Sequence, residues 1–588
     1  MTTSTLNSLA RASSAYLRSA MHQPIRWHEW GEEAFAAAQR ENKPMLLDIG
    51  AVWCHWCHVM DRESYDDPAI AEIVNEHFIA VKVDRDERPD IDGRYQAAVQ
   101  AVSGQGGWPL TAFLTPDGKP FYGGTYFPPN DGYGRPSFRR VLLSIANAFK
   151  EKHGDVVEQA KMVESAIAQS ESFAGRSGRI SPAMITAILE SAQKMFDPQH
   201  GGFGQAPKFP HPSALEVLIE RYARGAGGSE LRNIIVTTLE RMARGGVYDQ
   251  LAGGFHRYSV DERWVVPHFE KMCYDNSELL KNYVHAYQAT GEPLFADVAR
   301  DIIRWMDEWL SDRDRGGFYA SQDADITMDD DGDYFTWTLG EARVVLTEEE
   351  AQVASLHYDI NEIGEMHHNP AKNVLFVRAP IDEIARRLSL APDRAKELLD
   401  SAKEKMYAAR LQRPAPYVDK TVYVGWNSLC ISAYLEAARV LGLPEARRFA
   451  LRSLDRVLAQ AWKHAASPSA GDGSHATSLL HVVAYSDPKA EHREVPGLLD
   501  DYAFTALACL DAYETTADLS YFKFARSIVD TMIARFFDAT SGGFFDCQPA
   551  ADGKSLGVLA TRRKPLQDSP TPAGNPMAAI ALMRLHHY

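Results

Sequence analysis

Residues 45–57 read MLLDIGAVWCHWC, and this stretch decides the fold of the first part of the chain. Its apolar start, Met45 to Ile49, follows Pro44 and is short, which is typical of a buried β-strand. Cys54 and Cys57 come next, separated by two residues. The pattern predicts a dithiol or disulfide where a buried strand ends and a helix begins.

The segments that follow alternate between strands and helices. Apolar runs at 79–84 and 110–114 predict two more strands, and a Pro-Asp-Gly turn at 116–118 predicts a hairpin to a strand at 120–122. Amphipathic stretches at 59–78 and 93–102 predict the helices between them. This alternation is typical of an α/β domain, which we place at residues 26–175 after an N-terminal extension of residues 1–25.

The cysteine pair predicts thiol–disulfide chemistry. Because a helix N-terminus stabilises a thiolate, we expect Cys54 to be the exposed attacking thiolate and Cys57 the resolving thiol. A protonated His55 between them would lower the thiol pKa and favour a more oxidising couple. Asp48, on the preceding strand, is placed to accept the proton of Cys57. Pro109 is expected to follow a cis peptide bond and to pack against the dithiol.

The buried Asp, the Trp-Cys pair and the proline loop occur in the same order in thioredoxin, which this part of the chain resembles. The resemblance implies a thioredoxin-like fold and a redox-active Cys54–Cys57 disulfide, with no other cofactor required. Two alternatives stay open. The cysteines could bind zinc together with His55 and His58, although a closed zinc site needs four well-directed ligands; no metal is predicted. The pair could also be purely structural.

From about residue 140 onward, long helical patterns dominate. Between the helices, Gly-Gly before an aromatic residue recurs where a helix ends and the chain reverses with positive φ. This recurrence, with two helices per unit, predicts α-hairpin repeats. These Gly-Gly segments lie at 197–203, 249–255, 314–318 and 538–544. We expect a mainly α toroid of six hairpins, (α/α)6, over residues 176–588, with loop insertions near 320–378 and 466–498; an open α-solenoid is the alternative.

Composition and charge disfavour several classes of protein. The 62 Lys and Arg against 79 Asp and Glu give a net charge of −17, which repels nucleic acids. No apolar run approaches the roughly 18–20 residues of a membrane span. Only two of the six cysteines are close in sequence, and the first residues lack the apolar core of a secretory signal. We therefore expect a cytoplasmic protein without nucleic-acid or membrane partners.

Further motifs extend a resemblance over nearly the whole chain. They are CHWCHVM at 54–60, VKVDRDERPD at 81–90, GGWPL at 106–110, GGTYFP at 123–128, APKFP at 206–210, PHFEKM at 267–272, YDN at 274–276, DAD at 323–325, WN at 426–427 and DDYAF at 500–504. These motifs resemble those of the YyaL-like family, known in animals as spermatogenesis-associated thioredoxin-domain proteins. The resemblance implies a thioredoxin-like domain followed by an (α/α)6 barrel similar to N-acylglucosamine epimerases and six-hairpin glycosidases. It implies no established reaction.

The segment 253–271 concentrates charged and aromatic residues in a pattern too irregular for a plain helix. Loops at one end of an α-barrel can gather acid and base groups over a pocket. His256, His268 and Glu270 are candidates for proton transfer. The other barrel candidates are a guanidinium, four carboxylates and three tryptophans that could stack on a sugar: Arg257, Asp275, Asp323, Asp325, Asp501, Trp264, Trp337 and Trp426. Such residues also cap helices and hold loops in place.

The acidic run at 329–333 resembles a calcium loop in composition. It lacks the Glu that an EF-hand requires at its twelfth position, which favours a solvated acidic turn.

Functions from different classes follow from these features. The first is a thiol–disulfide oxidoreductase that acts on a protein dithiol or disulfide partner and carries a ligand-binding barrel. The second is a sugar epimerase or glycosidase-like enzyme whose thioredoxin-like domain is regulatory or docks partners. An epimerase needs an acid and a base on opposite faces of one carbon, and a hydrolase needs two carboxylates about 5–10 Å apart. A non-enzymatic binding module is the third.

Overall fold

The computed structural model describes residues 6–132, 134–171, 181–327, 332–464, 477–549, 555–560 and 562–588. Its helices are α1 Ala15–Ser19, α2 Glu32–Glu41, α3 His55–Met60, α4 Pro68–His77, α5 Pro89–Ser103, α6 Phe138–Glu151, α7 His153–Glu171, α8 Pro182–Met195, α9 Pro212–Ala223, α10 Gly228–Arg244, α11 Cys273–Thr290, α12 Pro293–Trp309, α13 Leu339–Val345, α14 Glu348–Tyr358, α15 Ile381–Leu388, α16 Pro392–Arg410, α17 Val424–Leu441, α18 Pro444–Ala461, α19 Leu499–Thr516, α20 Leu519–Phe536 and α21 Gly574–His587. Its strands are β1 Trp27–Glu29, β2 Met45–Gly50, β3 Ile79–Asp84, β4 Leu110–Leu114, β5 Pro120–Gly124, β6 Tyr258–Ser259, β7 Pro267–His268, β8 Lys271–Met272, β9 Ser321–Gln322, β10 Val418–Asp419, β11 Val422–Tyr423, β12 Trp462–His464, β13 Thr477–Leu479 and β14 Val482–Ala484.

Strands β1 to β5 form one sheet in the order β1-β3-β2-β4-β5. The central strand β2 runs parallel to β3 and antiparallel to β4, and every residue of β2 and β3 is buried. Full burial on both faces explains why these strands read as apolar runs rather than as alternating patterns. Helix α3 begins at His55, shortly after β2 ends, so the cysteine pair lies at the carboxyl end of the central strand. The thioredoxin-like part of the predicted fold class is confirmed.

The N-terminal segment, residues 6–25, packs against this sheet instead of forming a separate extension. Tyr16 and Leu17 of α1 belong to the same core as Leu46 of β2 and Phe113 of β4. On the opposite face, α2 and α5 cover the sheet through a second apolar core. The helical pattern that begins near residue 140 contains two helices at its start: α6 packs on α4, and α7 packs on α5.

The rest of the chain is built mainly from helical hairpins. Four antiparallel pairs follow one another, α9/α10, α11/α12, α17/α18 and α19/α20, with α8 before them and α21 after them. One helix from each pair packs on the corresponding helix of the next, giving an inner row α9-α11-α17-α19-α21. Their partners lie outside this row. This inner and outer arrangement is that of an (α/α)6 toroid, the second part of the predicted fold class.

The recurring Gly-Gly segments share one structure, seen well between α10 and α11. Gly253 and Gly254 have positive φ, and the backbone N–H of Gly253 donates to the carbonyl of Asp249 at 2.8 Å. Lys271 binds the carboxylate of Asp249 at 2.7 Å, and Asn276 of the inner helix α11 accepts from the backbone N–H of Phe255 at 2.7 Å. The other three segments repeat the salt bridge with the pairs Asp197–Lys208, Asp312–Arg456 and Asp538–Lys564. The third and fourth segments also repeat the asparagine contact, with Asn427 and Asn575.

The third of these segments therefore begins at Asp312 rather than at the expected 314, because the carbonyl of Asp312 receives the N–H of Gly316. The insertion after it is longer than expected. It starts at β9 and returns at β10, which pairs with β9, so it covers about residues 321–419. Within the insertion, α14, α15 and α16 bury one another's apolar faces. Because α11 packs directly against α17, the insertion does not interrupt the inner row of helices. The described part of the other insertion, 477–498, contains β13 and β14.

Candidate functional site

Cys54 and Cys57 form a disulfide with a Cα–Cα distance of 5.2 Å. Cys54 caps α3, and its Sγ accepts a hydrogen bond from the backbone N–H of Cys57 at 3.2 Å. The partial positive charge of a helix N-terminus stabilises an anion at this position, so after reduction Cys54 is the sulfur favoured as thiolate. The peptide bond between Trp108 and Pro109 is cis.

The disulfide is not exposed, and the expectation of an exposed attacking thiolate is wrong. Cys54 is 4% and Cys57 2% exposed. Helical-domain residues contact both neighbours of Cys54: the guanidinium of Arg257 lies 4.2 Å from the ring centre of Trp53, and Asp325 Oδ2 lies 2.6 Å from His55 Nδ1. The dithiol is covered because the helical domain docks on it.

Asp48 lies within a buried network behind the disulfide. Its carboxylate receives Lys82 Nζ at 2.6 Å, the hydroxyl of Tyr16 at 3.1 Å and the hydroxyl of Tyr65 at 3.2 Å. Lys82 also donates to Asp61 at 3.1 Å. Burial raises the pKa of Asp48, while the nearby ammonium of Lys82 opposes this rise. The carboxyl is therefore more easily protonated than a free one, as a proton acceptor in thiol exchange must be.

His58 joins the dithiol helix to the helical domain from a second direction. Its Nε2 donates to the carbonyl of Val52 at 2.7 Å and lies 3.5 Å from Asp323 Oδ2. Burial alone would lower the pKa of His58, but Asp323 and Asp61 raise it to about 9. The ring is therefore a cation at neutral pH, held by a carboxylate of the other domain.

Two tryptophans and an arginine of the dithiol domain face the helical domain. Trp53 donates its indole N–H to Asp86 at 2.7 Å, and Trp108 donates to Asp92 at 2.9 Å. Arg85 stacks over Trp108 at 4.6 Å from its ring centre. Sequence reasoning did not assign a role to Trp53, Arg85 or Asp86, although the last two lie within the 81–90 motif.

A buried polar cluster of the helical domain meets this surface. It contains Glu270, Tyr274 and Asp275, and all three act electrostatically on Arg257. Glu270 Oε2, the Tyr274 hydroxyl and Asp275 Oδ2 are buried atoms without a protein hydrogen-bond partner. Burial, partly opposed by Arg257, raises the pKa of Asp275 to about 7. Buried polar atoms of this kind are normally satisfied by water or by a ligand.

A cleft of about 590 Å³ opens beside the cluster, between α5 and the first turns of α17 and α19. Trp108 and Trp426 line it together with Asp500 and Asp501. Asp501 Oδ2 lies 2.9 Å from Nδ1 of His481, whose Nε2 donates to the carbonyl of Asp86 at 2.9 Å. Burial alone would lower the pKa of His481, but Asp501 raises it to about 9. Burial and the neighbouring Asp501 raise the pKa of Asp500 to about 7.

The structure thus divides the predicted barrel residues into two groups. One group lies where the domains meet: Arg257, Glu270, Asp275, Asp323, Asp325, Trp426 and Asp501. His268 stacks on Tyr258 at 4.4 Å, with its Nδ1 3.9 Å from Glu270. The other group is packed inside the helical domain and includes Trp264 and Trp337.

His256 belongs to this second group and is not placed for proton transfer in a pocket. Its Nδ1 lies 2.8 Å from the carbonyl of Phe269, and its ring is packed against Phe269 and Phe335. Burial, together with the charge of Lys271, lowers the pKa of His256 to about 3.

The remaining predictions concern metals and membranes. The sulfurs of Cys54 and Cys57 are bonded to each other, and His55 and His58 are engaged by Asp325 and Asp323. Within the described ranges, no group of three or more His, Cys, Asp or Glu side chains could hold a metal ion. Most of the acidic run at 329–333 lies outside the described residues. No described helix is long and apolar enough to cross a membrane.

The fold and the site define a class of protein: a thioredoxin-like dithiol domain docked on an (α/α)6 helical domain. A family model described as "Thioredox_DsbH: Protein of unknown function, DUF255" matches residues 6–168. Spermatogenesis-associated protein 20 of Homo sapiens is 35% identical over 613 residues, covering 99% of this chain and 76% of that protein. The "Uncharacterized protein B0495.5" of Caenorhabditis elegans is 34% identical over 610 residues, covering 100% and 81%.

The chain belongs to the spermatogenesis-associated protein 20 family, as its motifs predicted. Among solved structures, a family 76 glycoside hydrolase from a bovine Bacteroides thetaiotaomicron strain matches with a TM-score of 0.40 at 10% identity. That match covers 69% of this chain and 63% of the hydrolase.

Proposed function

We propose that the protein is a thiol–disulfide oxidoreductase centred on Cys54 and Cys57. The observation that carries this proposal is the position of the pair: Cys54 caps α3 and accepts the N–H of Cys57, and a buried carboxyl, Asp48, lies behind it. A helix N-terminus lowers a thiol pKa, and a buried carboxyl can take up a proton.

In the reducing direction, the thiolate of Cys54 attacks one sulfur of a substrate disulfide. A mixed disulfide forms and the other substrate sulfur leaves as a thiolate. Cys57 then loses its proton and attacks Cys54, which releases the second substrate thiol and regenerates the Cys54–Cys57 disulfide. The enzyme dithiol is oxidised by two electrons and the substrate disulfide is reduced by two.

The docked helical domain decides which substrates reach the pair. Contacts at Trp53 and His55 enclose Cys54 on both sides. A substrate disulfide therefore reaches Cys54 only after these contacts loosen, or when it is presented from the domain boundary itself. The helical domain therefore selects the substrates, which would distinguish this protein from a thioredoxin whose dithiol is open to many protein disulfides.

The test is disulfide reduction by the reduced full-length protein, with a mixed-disulfide peptide library and oxidised glutathione as substrates. Without an added reductant, each reduced wild-type molecule should reduce one substrate disulfide, and Cys54→Ser should lose this activity, because the attacking sulfur is gone. Cys547→Ser, which removes a partly exposed free cysteine, is the matched control and should retain full activity. Equal activity in Cys54→Ser and wild type would refute the proposal.

As a second candidate function, we propose that the cleft binds a small polyhydroxylated ligand, such as a sugar. Two tryptophans, Trp108 and Trp426, offer faces for stacking, and the carboxyls of Asp500 and Asp501 offer hydrogen-bond partners for hydroxyl groups. The test is thermal shift with a panel of amino and neutral sugars on wild type and Trp426→Ala. Stabilisation of wild type that Trp426→Ala abolishes supports binding; no shift with any sugar refutes it.

A further inference from the structure

The N-terminal segment brings a tyrosine into the dithiol centre. Tyr16 lies on α1, only 1% exposed, and its hydroxyl donates to Asp48 Oδ2 at 3.1 Å. The segment is fixed on both sides of this residue: Ser14, the N-cap of α1, donates to Asp84 at 2.5 Å, and Gln23 donates to Asp61 at 2.9 Å. The hydroxyl is therefore held in place rather than sampling several positions.

The same hydroxyl and the sulfur of Cys57 both lie next to Gly50. Gly50, the last residue of β2, has no side chain, and a Cβ built there would lie 2.7 Å from Cys57 Sγ and closer still to the Tyr16 hydroxyl oxygen. Both atoms thus border the small space that the missing side chain leaves. Glycine at this position allows the hydroxyl and the sulfur to approach each other.

We propose that Tyr16 carries the proton from the Cys57 thiol to Asp48 when Cys57 attacks the mixed disulfide. This inference rests on the oxidoreductase function proposed above and adds a residue of the N-terminal segment to that reaction.

The step conserves protons. The Cys57 S–H donates its proton to the Tyr16 oxygen while the Tyr16 O–H donates its own proton to Asp48 Oδ2. Tyr16 ends as a neutral phenol, Asp48 as a neutral acid and Cys57 as a thiolate. The thiolate forms its bond to Cys54 as the substrate sulfur leaves with the bonding electron pair. No further oxidant or reductant takes part.

Other charged groups face the same space and bear on the pH dependence of this step. Lys82 donates to Asp48 and Asp61, and its Nζ lies 4.6 Å from the ring centre of Tyr16. Tyr65 donates to the other oxygen of Asp48, Oδ1, at 3.2 Å. Tyr65 is therefore a matched control: it contacts the same carboxylate, but it donates to the opposite oxygen from Tyr16.

The experiment separates the two steps of exchange in the full-length protein. Fully reduced protein is mixed with bis(2-hydroxyethyl) disulfide at pH values from 6 to 8.5 and quenched with acid after milliseconds to seconds. Mass spectrometry of the peptide that contains both cysteines then measures the dithiol, the mixed disulfide and the closed disulfide. Cys57→Ser, which cannot close the ring, gives the reference for a trapped mixed disulfide.

In Tyr16→Phe the aromatic ring stays, so the packing around Lys82 is kept. We expect the first step to stay within about twofold of wild type and the second to slow by at least about tenfold, since proton transfer by a positioned group is worth roughly 10²–10⁴-fold. The mixed disulfide should accumulate, most strongly at low pH. Tyr65→Phe, which removes only the hydrogen bond to Oδ1 of Asp48, should slow the second step much less than Tyr16→Phe does. Gly50→Ala should slow the second step, because its Cβ displaces the hydroxyl.

Two results would overturn the relay. One is a second step in Tyr16→Phe that matches wild type at every pH. The other is equal slowing in Tyr16→Phe and Tyr65→Phe, which would mean that only the acidity of Asp48 had changed. If wild type forms no mixed disulfide with the probe while the thiol form is fully present, the oxidoreductase proposal itself fails, and the relay fails with it.

Discussion

Replacing Asp323 by Asn should make the Cys54–Cys57 disulfide easier to reduce. His58 follows Cys57 directly, and its ring lies 3.5 Å from the carboxylate of Asp323, which the helical domain supplies. Since the two cysteines are almost fully buried, a reductant reaches them only when contacts of this kind open. The variant removes the negative charge and keeps the size of the side chain.

The size of the effect follows from the pKa of His58. Raising it from 6.5 to about 9 corresponds to about 3 kcal/mol in favour of the protonated ring, at about 1.4 kcal/mol per tenfold change in proton affinity. Asp323 makes the largest favourable contribution to this rise, so its loss should weaken the contact by about 2 kcal/mol. If opening is fast compared with capture by the reductant, reduction then becomes about 30-fold faster.

The same contact predicts a pH dependence. Because the pKa of His58 in the folded protein lies above its ordinary value, the stabilisation is complete below about pH 6.5 and is lost as the pH rises through about 9. Reduction of wild type should therefore accelerate between pH 7 and 9.5. Asp323→Asn should be fast throughout this range, with a much smaller pH dependence.

The assay is reduction by a phosphine, quenched by alkylation and followed by mass spectrometry of the cysteine peptide. Glu216→Gln is the matched control. The carboxylate of Glu216 lies 2.7 Å from His285, whose pKa is also raised to about 9, and this pair lies away from the dithiol. The substitution should not change the rate. An Asp323→Asn rate equal to wild type at pH 7, or equal acceleration by Glu216→Gln, would refute the reasoning.

Two further variants test the energetics of the dithiol domain and the cleft. Lys82→Met leaves two buried carboxylates without their cation and should destabilise the dithiol domain by roughly 3–5 kcal/mol. Calorimetry should show this as a lower temperature of the first unfolding transition. Lys119→Met, which breaks a partly exposed ion pair, should change the stability of the domain by less than about 1 kcal/mol. Asp500→Asn should raise the thermal stability above pH 7, because the pKa of Asp500 is raised to about 7 and its ionisation there opposes folding. This gain should shrink as the pH falls toward 4; an equal gain at every pH would contradict the assignment.

Local patterns in the sequence were enough to predict four of the five strands in the sheet of the dithiol domain, but not the edge strand β1. The apolar run at 45–49 and the cysteine spacing identify a strand followed by a helix, since both signals lie within a few residues. The Gly-Gly segments predict chain reversals for the same reason, because positive φ is a property of single residues. Helix pairs can be read from such signals without knowledge of their neighbours.

The contacts between domains could not be predicted in this way. Arg257 and Trp53 are far apart in sequence, and no periodic pattern marks that they touch. The burial of Cys54 depends on that docking, so its predicted exposure was wrong. The predicted insertion ended near residue 378 and so left α15 and α16 in the ring, because the periodicity of a helix is the same whether it faces a ring helix or α14. His256 looked catalytic because composition cannot distinguish a packed imidazole from an open one.

The fixed N-terminal segment has a practical consequence for how this protein is dissected. A fragment that starts at residue 26, the boundary suggested by sequence, would keep both cysteines, Asp48 and Pro109, and would look intact by every motif. It would lack Tyr16 and Ser14, and water would fill the space beside Cys57. Reduction potentials or thiol titrations measured on such a fragment would describe a different chemical centre from the one in the whole protein.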